Sequence, residues 1–167
     1  DVYKRQELSI TRIIVKGGQE SLKKEIITLV ENSAIEGFSA LSAQALREKI
    51  EDIRKVKKAF VKFSTDGLVI VNVIERKEAV VFFNKDKYEV LDSNGVILSI
   101  KQNYKGLSSF PLLFGKDASK NINALLALVN EIGSYQSEVL YYEWVGERRW
   151  DIPVSYTHLR AHETVVY

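Results

Sequence analysis

The sequence predicts an α+β protein, and three features carry that expectation. The spacing of apolar residues switches between two and about 3.6 more than once along the chain, as strands and amphipathic helices following one another require. A long run, Leu68 to Phe83 (LVIVNVIERKEAVVFF), sets two apolar stretches on either side of the charged knot Glu75-Arg76-Lys77-Glu78, holds no Gly or Pro, and reads as a buried strand that leaves one sheet and feeds the next. With 167 residues, 46% hydrophobic and 28% charged, the chain can bury one ordinary core or two small ones and is not disordered in composition.

Leu8 to Lys16 (LSITRIIVK) alternates and then runs apolar through Ile13, Ile14 and Val15, a first strand ended by Gly17-Gly18. From Glu20 to Ser33 the residues Leu22, Ile26, Leu29, Val30 and Ser33 share one face at helical spacing, so an amphipathic helix is expected. After a turn at Gly37-Phe38, Ser42 is placed to cap a second helix. Leu41 and Leu46 are positioned as a hydrophobic staple, and Leu46, Ile50 and Ile53 form the buried stripe to about Arg54. Val56 to Ser64 returns to period two, with Ala59, Val61 and Phe63 on one side and Lys58 and Lys62 on the other. Asp66-Gly67 turns the chain into Leu68 to Ile74, antiparallel, giving the order β-α-α-β-β.

Beyond the knot, Ala79 to Phe83, Tyr88 to Leu91 and Val96 to Ile100 are expected as a meander, the second turn marked by Asp92-Ser93-Asn94-Gly95. A loop through Gly106 and Pro111 to Gly115 precedes a helix from about Ala118 to Ile132, with Gly133 as its cap. Val139 to Val145 reads as a strand with Leu140, Tyr142 and Trp144 on one face, turning at Gly146 into Arg149 to Ile152.

Several function classes lose their footing on composition. Asn72 and the charged knot break the longest apolar stretch short of the roughly 18 to 20 residues of a membrane span. Cysteine is absent, which removes disulfides and thiolate chemistry without fixing a compartment, and a net charge of +2 is too small to argue for a nucleic-acid partner. Both ends look foreign. Asp1 to Gln6 (DVYKRQ) resembles the translation of one strand of a transposon mosaic-end adapter. Val154 to Leu159 resembles the opposite strand, and Arg160 to Thr164 the primer that follows it. Residues 1–6 and 154–167 are therefore set aside as non-native. With them go the only two histidines, His158 and His162.

What remains for catalysis is Asp, Glu, Lys and Ser. Asp92 falls in a hairpin turn and Asp117 near a helix start, where turn and cap roles are the ordinary ones. Glu75 and Arg76 are better read as a strand-end ion pair steering two modules than as a chemical site. The densest positive patch, Arg54, Lys55, Lys57, Lys58 and Lys62 with Phe60 nearby, reads as a solvated helix end and strand face. Contact with anionic lipid headgroups is the lesser reading. Arg148, Arg149 and Trp150 allow either a partner anchor or a turn followed by a core Trp, while Tyr141 and Glu143 face away from Leu140, Tyr142 and Trp144 and leave one strand face for a partner.

The motifs also carry a resemblance. IIVKGG (13–18), the helix pair, LVIVNVIER (68–76), LDSNGVIL (91–98), PLLFG (111–115) and WVGERRWDI (144–152), in this order, resemble the bacterial division family FtsQ (DivIB), whose first module is a POTRA domain. The resemblance implies a POTRA-like domain over 7–77 and a partial, mostly antiparallel β domain with one helix over 78–153. Where the family usually carries a Pro after the Glu-Arg pair, Lys77-Glu78 stands here. It further implies an internal fragment of a single-pass inner-membrane protein, lying on the periplasmic side as a non-enzymatic divisome scaffold. No catalytic residue, cofactor, metal or nucleic acid is expected. Partners of the FtsB/FtsL type would bind by strand addition at a β-domain edge, largely beyond this sequence, and Glu75, Arg76, Tyr141, Glu143, Arg148, Arg149 and Trp150 are the candidate partner-binding residues. The alternative is a POTRA-type module of an outer-membrane assembly or secretion protein; an unrecognised enzyme using Asp92, Asp117 or Glu75 is the third reading.

Overall fold

A computed structural model describes residues 10–35 and 42–155. It is an α+β protein of two compact units, divided at Arg76/Lys77. The turn at Gly37-Phe38 and the staple residue Leu41 lie outside the described residues.

In the first unit the elements run β1 (Arg12–Lys16), α1 (Glu20–Ile35), α2 (Ala43–Glu51), β2 (Val56–Phe63) and β3 (Leu68–Glu75). The sheet order is β1-β3-β2, with β3 central, parallel to β1 and antiparallel to β2. Both helices must therefore lie in the crossover that carries the chain from one edge of the sheet to the other, and they cover one of its faces. Leu22, Ile26 and Val30 of α1 and Leu46 and Ile50 of α2 pack with Val56 and Ala59 of β2 and Val69, Val71 and Val73 of β3. Ser42 caps α2 as expected, its side chain accepting from the Ala45 amide at 3.0 Å. The stripe residue Ser33 is buried in α1 with its hydroxyl donating to the Leu29 carbonyl.

Two expectations change here. The ladder of the first strand begins at Arg12; Ile10 packs on the core from outside it, and residues 8 and 9 are not described. The run from Leu68 becomes strands in both units, but β3 is buried on one face only, with Asn72 exposed and Ile74 50% exposed. The helices supply a single layer, so every second residue of the central strand remains uncovered. A bulge between Val56 and Lys58 keeps Val56 and Ala59, an odd spacing apart, in the same core.

The second unit comprises β4 (Val80–Asn84), β5 (Lys87–Leu91), β6 (Ile97–Lys101), β7 (Leu112–Phe114), a 3-10 turn (Ala118–Lys120), α3 (Ile122–Ile132), a second 3-10 segment (Gly133–Glu138), β8 (Tyr142–Val145) and β9 (Arg149–Asp151). Its six strands run β6-β5-β4-β7-β8-β9. The meander forms as expected. The segment Pro111 to Gly115, expected as loop, instead supplies β7, which lies parallel to β4 on one side and to β8 on the other. The sheet is thus antiparallel at both ends and parallel at its centre. Three residues are too few to show a period, and flanking Pro and Gly mask so short a strand. Leu113 is fully buried, with Val80, Leu91, Ile122, Leu125 and Tyr142 around it. Gly115 has φ +103, and a Cβ there would lie 2.3 Å from the Trp144 carbonyl oxygen, so only glycine lets β7 end this close to β8.

The expected helix 118–132 breaks at Asn121, whose side chain donates to the Asp117 carbonyl at 3.0 Å. The expected strand from Val139 shortens to Tyr142. Leu140 is 58% exposed rather than inward, and Val139 pairs instead with Val154 in an isolated antiparallel bridge. The Leu140 amide donates to the Pro153 carbonyl at 2.9 Å and the Ser155 amide to the Glu138 carbonyl at 2.8 Å, extending the β8-β9 hairpin past its ladder.

Candidate functional site

The expected partner-binding residues fall into two groups, one in each unit. Glu75 ends β3 opposite Val56. Its Oε2 accepts the Gln19 backbone N–H at 2.9 Å, at the entrance to α1, and so places a carboxylate where the free amides of a helix N-terminus favour negative charge. The adjacent glycines allow this. Gly17 has φ +86, and a Cβ on it would lie 2.2 Å from the Val73 carbonyl oxygen, so the turn out of β1 lies directly against β3. The backbone N–H of Arg76 donates to the Lys55 carbonyl at 2.7 Å, continuing the β2-β3 pairing by one bond.

In the second unit, β9 is the edge strand and carries Arg149 and Trp150. Trp150 pairs with Trp144 across the hairpin, ring centroids 5.1 Å apart, and the two pack against the α3-side core. The indole Nε1 of Trp150 is buried with no hydrogen-bond partner among the described residues. Arg148 and Arg149 are exposed, and Arg149 Nε donates to the Asp151 carboxylate at 2.9 Å. This arrangement is the core Trp with arginines outside. Tyr141 stands on the other face and packs edge-on against Phe114, at 5.0 Å between centroids. It closes an aromatic row through Phe114, Phe83, Tyr88 and Tyr104. Glu143 lies between Phe114 of β7 and Asp151 of β9 in the ladder.

A cleft of about 220 Å³ opens near the end of this row, bordered by Tyr104, Phe110, Leu112, Gln136, Leu140 and Tyr142. Tyr104 donates to the Phe110 carbonyl at 3.0 Å, and its hydroxyl is pushed above the ordinary tyrosine value by burial first and by the neighbouring Tyr88 second. Burial does the same to Tyr142. The sequence reading did not find this cleft, since residues of the loop, the unexpected 3-10 segment and β7 build it together.

The residues considered for catalysis have structural duties. Asp92 is buried in its turn, Oδ1 accepting from the Asn94 and Val96 amides at 3.0 and 2.8 Å. Asp117 adopts φ +63 and pairs with Lys120 at 3.0 Å without capping the helix through its side chain. Among the described residues, no group of three or more His, Cys, Asp or Glu could hold a metal ion, and no helix is long and apolar enough to cross a membrane.

Most of the second unit is similar to a known domain. A family model described as cell division protein FtsQ/DivIB, C-terminal, matches residues 79–160. Relatives match across both units. The cell division protein FtsQ of Dinoroseobacter shibae is 22% identical over 154 residues, covering 92% of this chain and 52% of that protein. That of Bradyrhizobium diazoefficiens is 26% identical over 143 residues, 86% and 42% respectively. That of Zymomonas mobilis is 22% identical over 161 residues, 96% and 49%. The chain spans about half the length of the curated relatives it matches.

Proposed function

The chain belongs to the FtsQ/DivIB family of cell-division proteins, and from that membership we propose that it is a non-enzymatic scaffold segment of the division machinery. It lies on the periplasmic side of the inner membrane in a single-pass parent protein. The first unit, with its β-α-α-β-β order, acts as a POTRA-like module for localisation and upstream contacts. The second unit is the FtsQ-type β domain that joins early and late division proteins during septum formation.

The observation that carries this reading is the place of β9. Among the described residues it stands at the edge of the sheet with β8 beside it, so one row of its backbone groups faces the side on which a further strand would add. Partners of the FtsB/FtsL type bind by strand addition at the β-domain edge on this side, C-terminal to Trp150. Hydrogen exchange with and without the soluble part of such a partner tests the reading. Added protection confined to Arg149–Asp151 and the residues just after it is expected; protection confined to the first unit sinks the strand-addition mode. A module of outer-membrane assembly shares the first unit's order, but the family match over the second unit favours the division reading.

A further inference from the structure

The sheet of the first unit has a second face that no described element of that unit covers. The residues pointing away from α1 and α2 are Arg12, Ile14 and Lys16 on β1, Leu68, Ile70, Asn72 and Ile74 on β3, and Lys58, Phe60 and Lys62 on β2. The register sorts them into bands. All four cations stand on the two outer strands, and among these outward positions none is acidic; Glu75, at the end of β3, belongs to the opposite face. Between the cations runs an apolar strip in which Phe60 is 49% and Ile74 50% exposed, and the Lys58 ammonium lies 5.1 Å from the Phe60 ring centroid.

Lysines on edge strands guard against sheet-to-sheet pairing, which would account for the charges alone. It does not account for a half-exposed Phe and Ile between them. Nor does strand addition at β2 suit this edge, because the Glu51 side chain of α2 already accepts the Ala59 amide at 3.0 Å. A second copy of the face is repelled by four like charges on each side. An acidic peptide held in one register favours forked, bidentate donors, whereas three of the four cations are lysines, flexible point charges spread about 10 Å apart across two strand spacings. Such a layout, a cationic rim around a shallow apolar strip, suits a laterally uniform layer of negative charge over hydrocarbon.

We propose that this face, formed by β1, β3 and β2, is a docking surface for an anionic phospholipid bilayer. Lys16, Lys58, Lys62 and Arg12 meet the headgroup phosphates, and Phe60 and Ile74 enter the interface between them. The proposal concerns a lipid contact of the first unit and holds or fails separately from the strand-addition reading of β9.

Vesicle co-sedimentation of the 167-residue chain tests it. Binding to phosphatidylglycerol/phosphatidylethanolamine vesicles, weakened by added salt and absent with phosphatidylcholine alone, is expected. Each lysine removed should weaken binding about fivefold, so Lys58→Ala with Lys62→Ala costs roughly 25-fold. Phe60→Ser should weaken binding without changing the salt dependence. Lys101→Ala with Lys105→Ala, the same charge change on exposed positions of the second unit, should have little effect. All these sites are exposed, and circular dichroism checks that the variants fold. No binding to anionic vesicles overturns the proposal. So does equal loss in the second-unit control, which would mark a response to net charge, and so does preference for a polyglutamate peptide over the vesicles.

Discussion

The Glu75 carboxylate accepts the backbone N–H of Gln19 at 2.9 Å, which ties the last residue of the central strand to the entrance of the first helix, 56 positions earlier in the chain. The pair gives a physical duty to a residue that the sequence marks only as part of a charged knot. Glu75→Ala should destabilise the first unit by about 1–2 kcal/mol, the usual worth of a helix N-terminal acceptor. Chemical denaturation followed by backbone amide signals of each unit checks this. An unchanged midpoint for the first unit would show that solvent replaces the carboxylate without cost.

Gly17→Ala is expected to cost more. A Cβ at 2.2 Å from the Val73 carbonyl, on a backbone at φ +86, cannot be accommodated without moving β1 or β3, and a loss of roughly 2–4 kcal/mol follows. Gly106→Ala has a similar φ of +80 but open space around it, so only about 1 kcal/mol is expected. Thermal melts of the two variants side by side separate steric from conformational cost.

Leu113→Ala should destabilise the second unit by about 2–5 kcal/mol, since the side chain is fully buried at the centre of the sheet. Leu140→Ala, at a position 58% exposed, should lie within about 0.5 kcal/mol of the parent. The same denaturation measurement reads both.

Alkaline pH should act on the second unit first. Tyr104 and Tyr142 both titrate above the ordinary tyrosine value of 10.0, so the folded state favours their protonated forms. Their contribution is present in full below pH 10 and is lost as pH rises through the higher folded values. The described part of the first unit contains no tyrosine. Tyrosinate absorbance combined with unit-resolved amide signals should show the second unit opening while the first stays folded; simultaneous loss of both would contradict the assignment.

Much of this architecture is legible in the residues because period and punctuation agree. Leu22, Ile26, Val30 and Ser33 mark the buried face of α1, and Asp66-Gly67 and Asn94-Gly95 mark turns that form. The failures have a common cause, in that pairing partners distant in sequence decide them. Leu112–Phe114 is a strand only because β4 and β8 arrive on either side of it. Leu140 turns outward because Val139 and Leu140 pair with 153–154 rather than continue β8. The open face of the first sheet was visible only in part. Lys58 and Lys62 alternate with Phe60 along β2, yet nothing in that strand announces that Arg12 and Lys16 stand on the same face two strands away.

The short strand β7 also governs the order in which the second unit can assemble. The meander 80–101 and the hairpin 142–151 each close over a few residues, whereas the ladders from Leu112 and Leu113 reach about thirty residues back to Val81 and forward to Tyr142. Local pieces form early, and the long closures wait for a partner to fold onto. The meander and the hairpin therefore become one sheet only through three residues, whose two parallel ladders are the longest closures the unit makes.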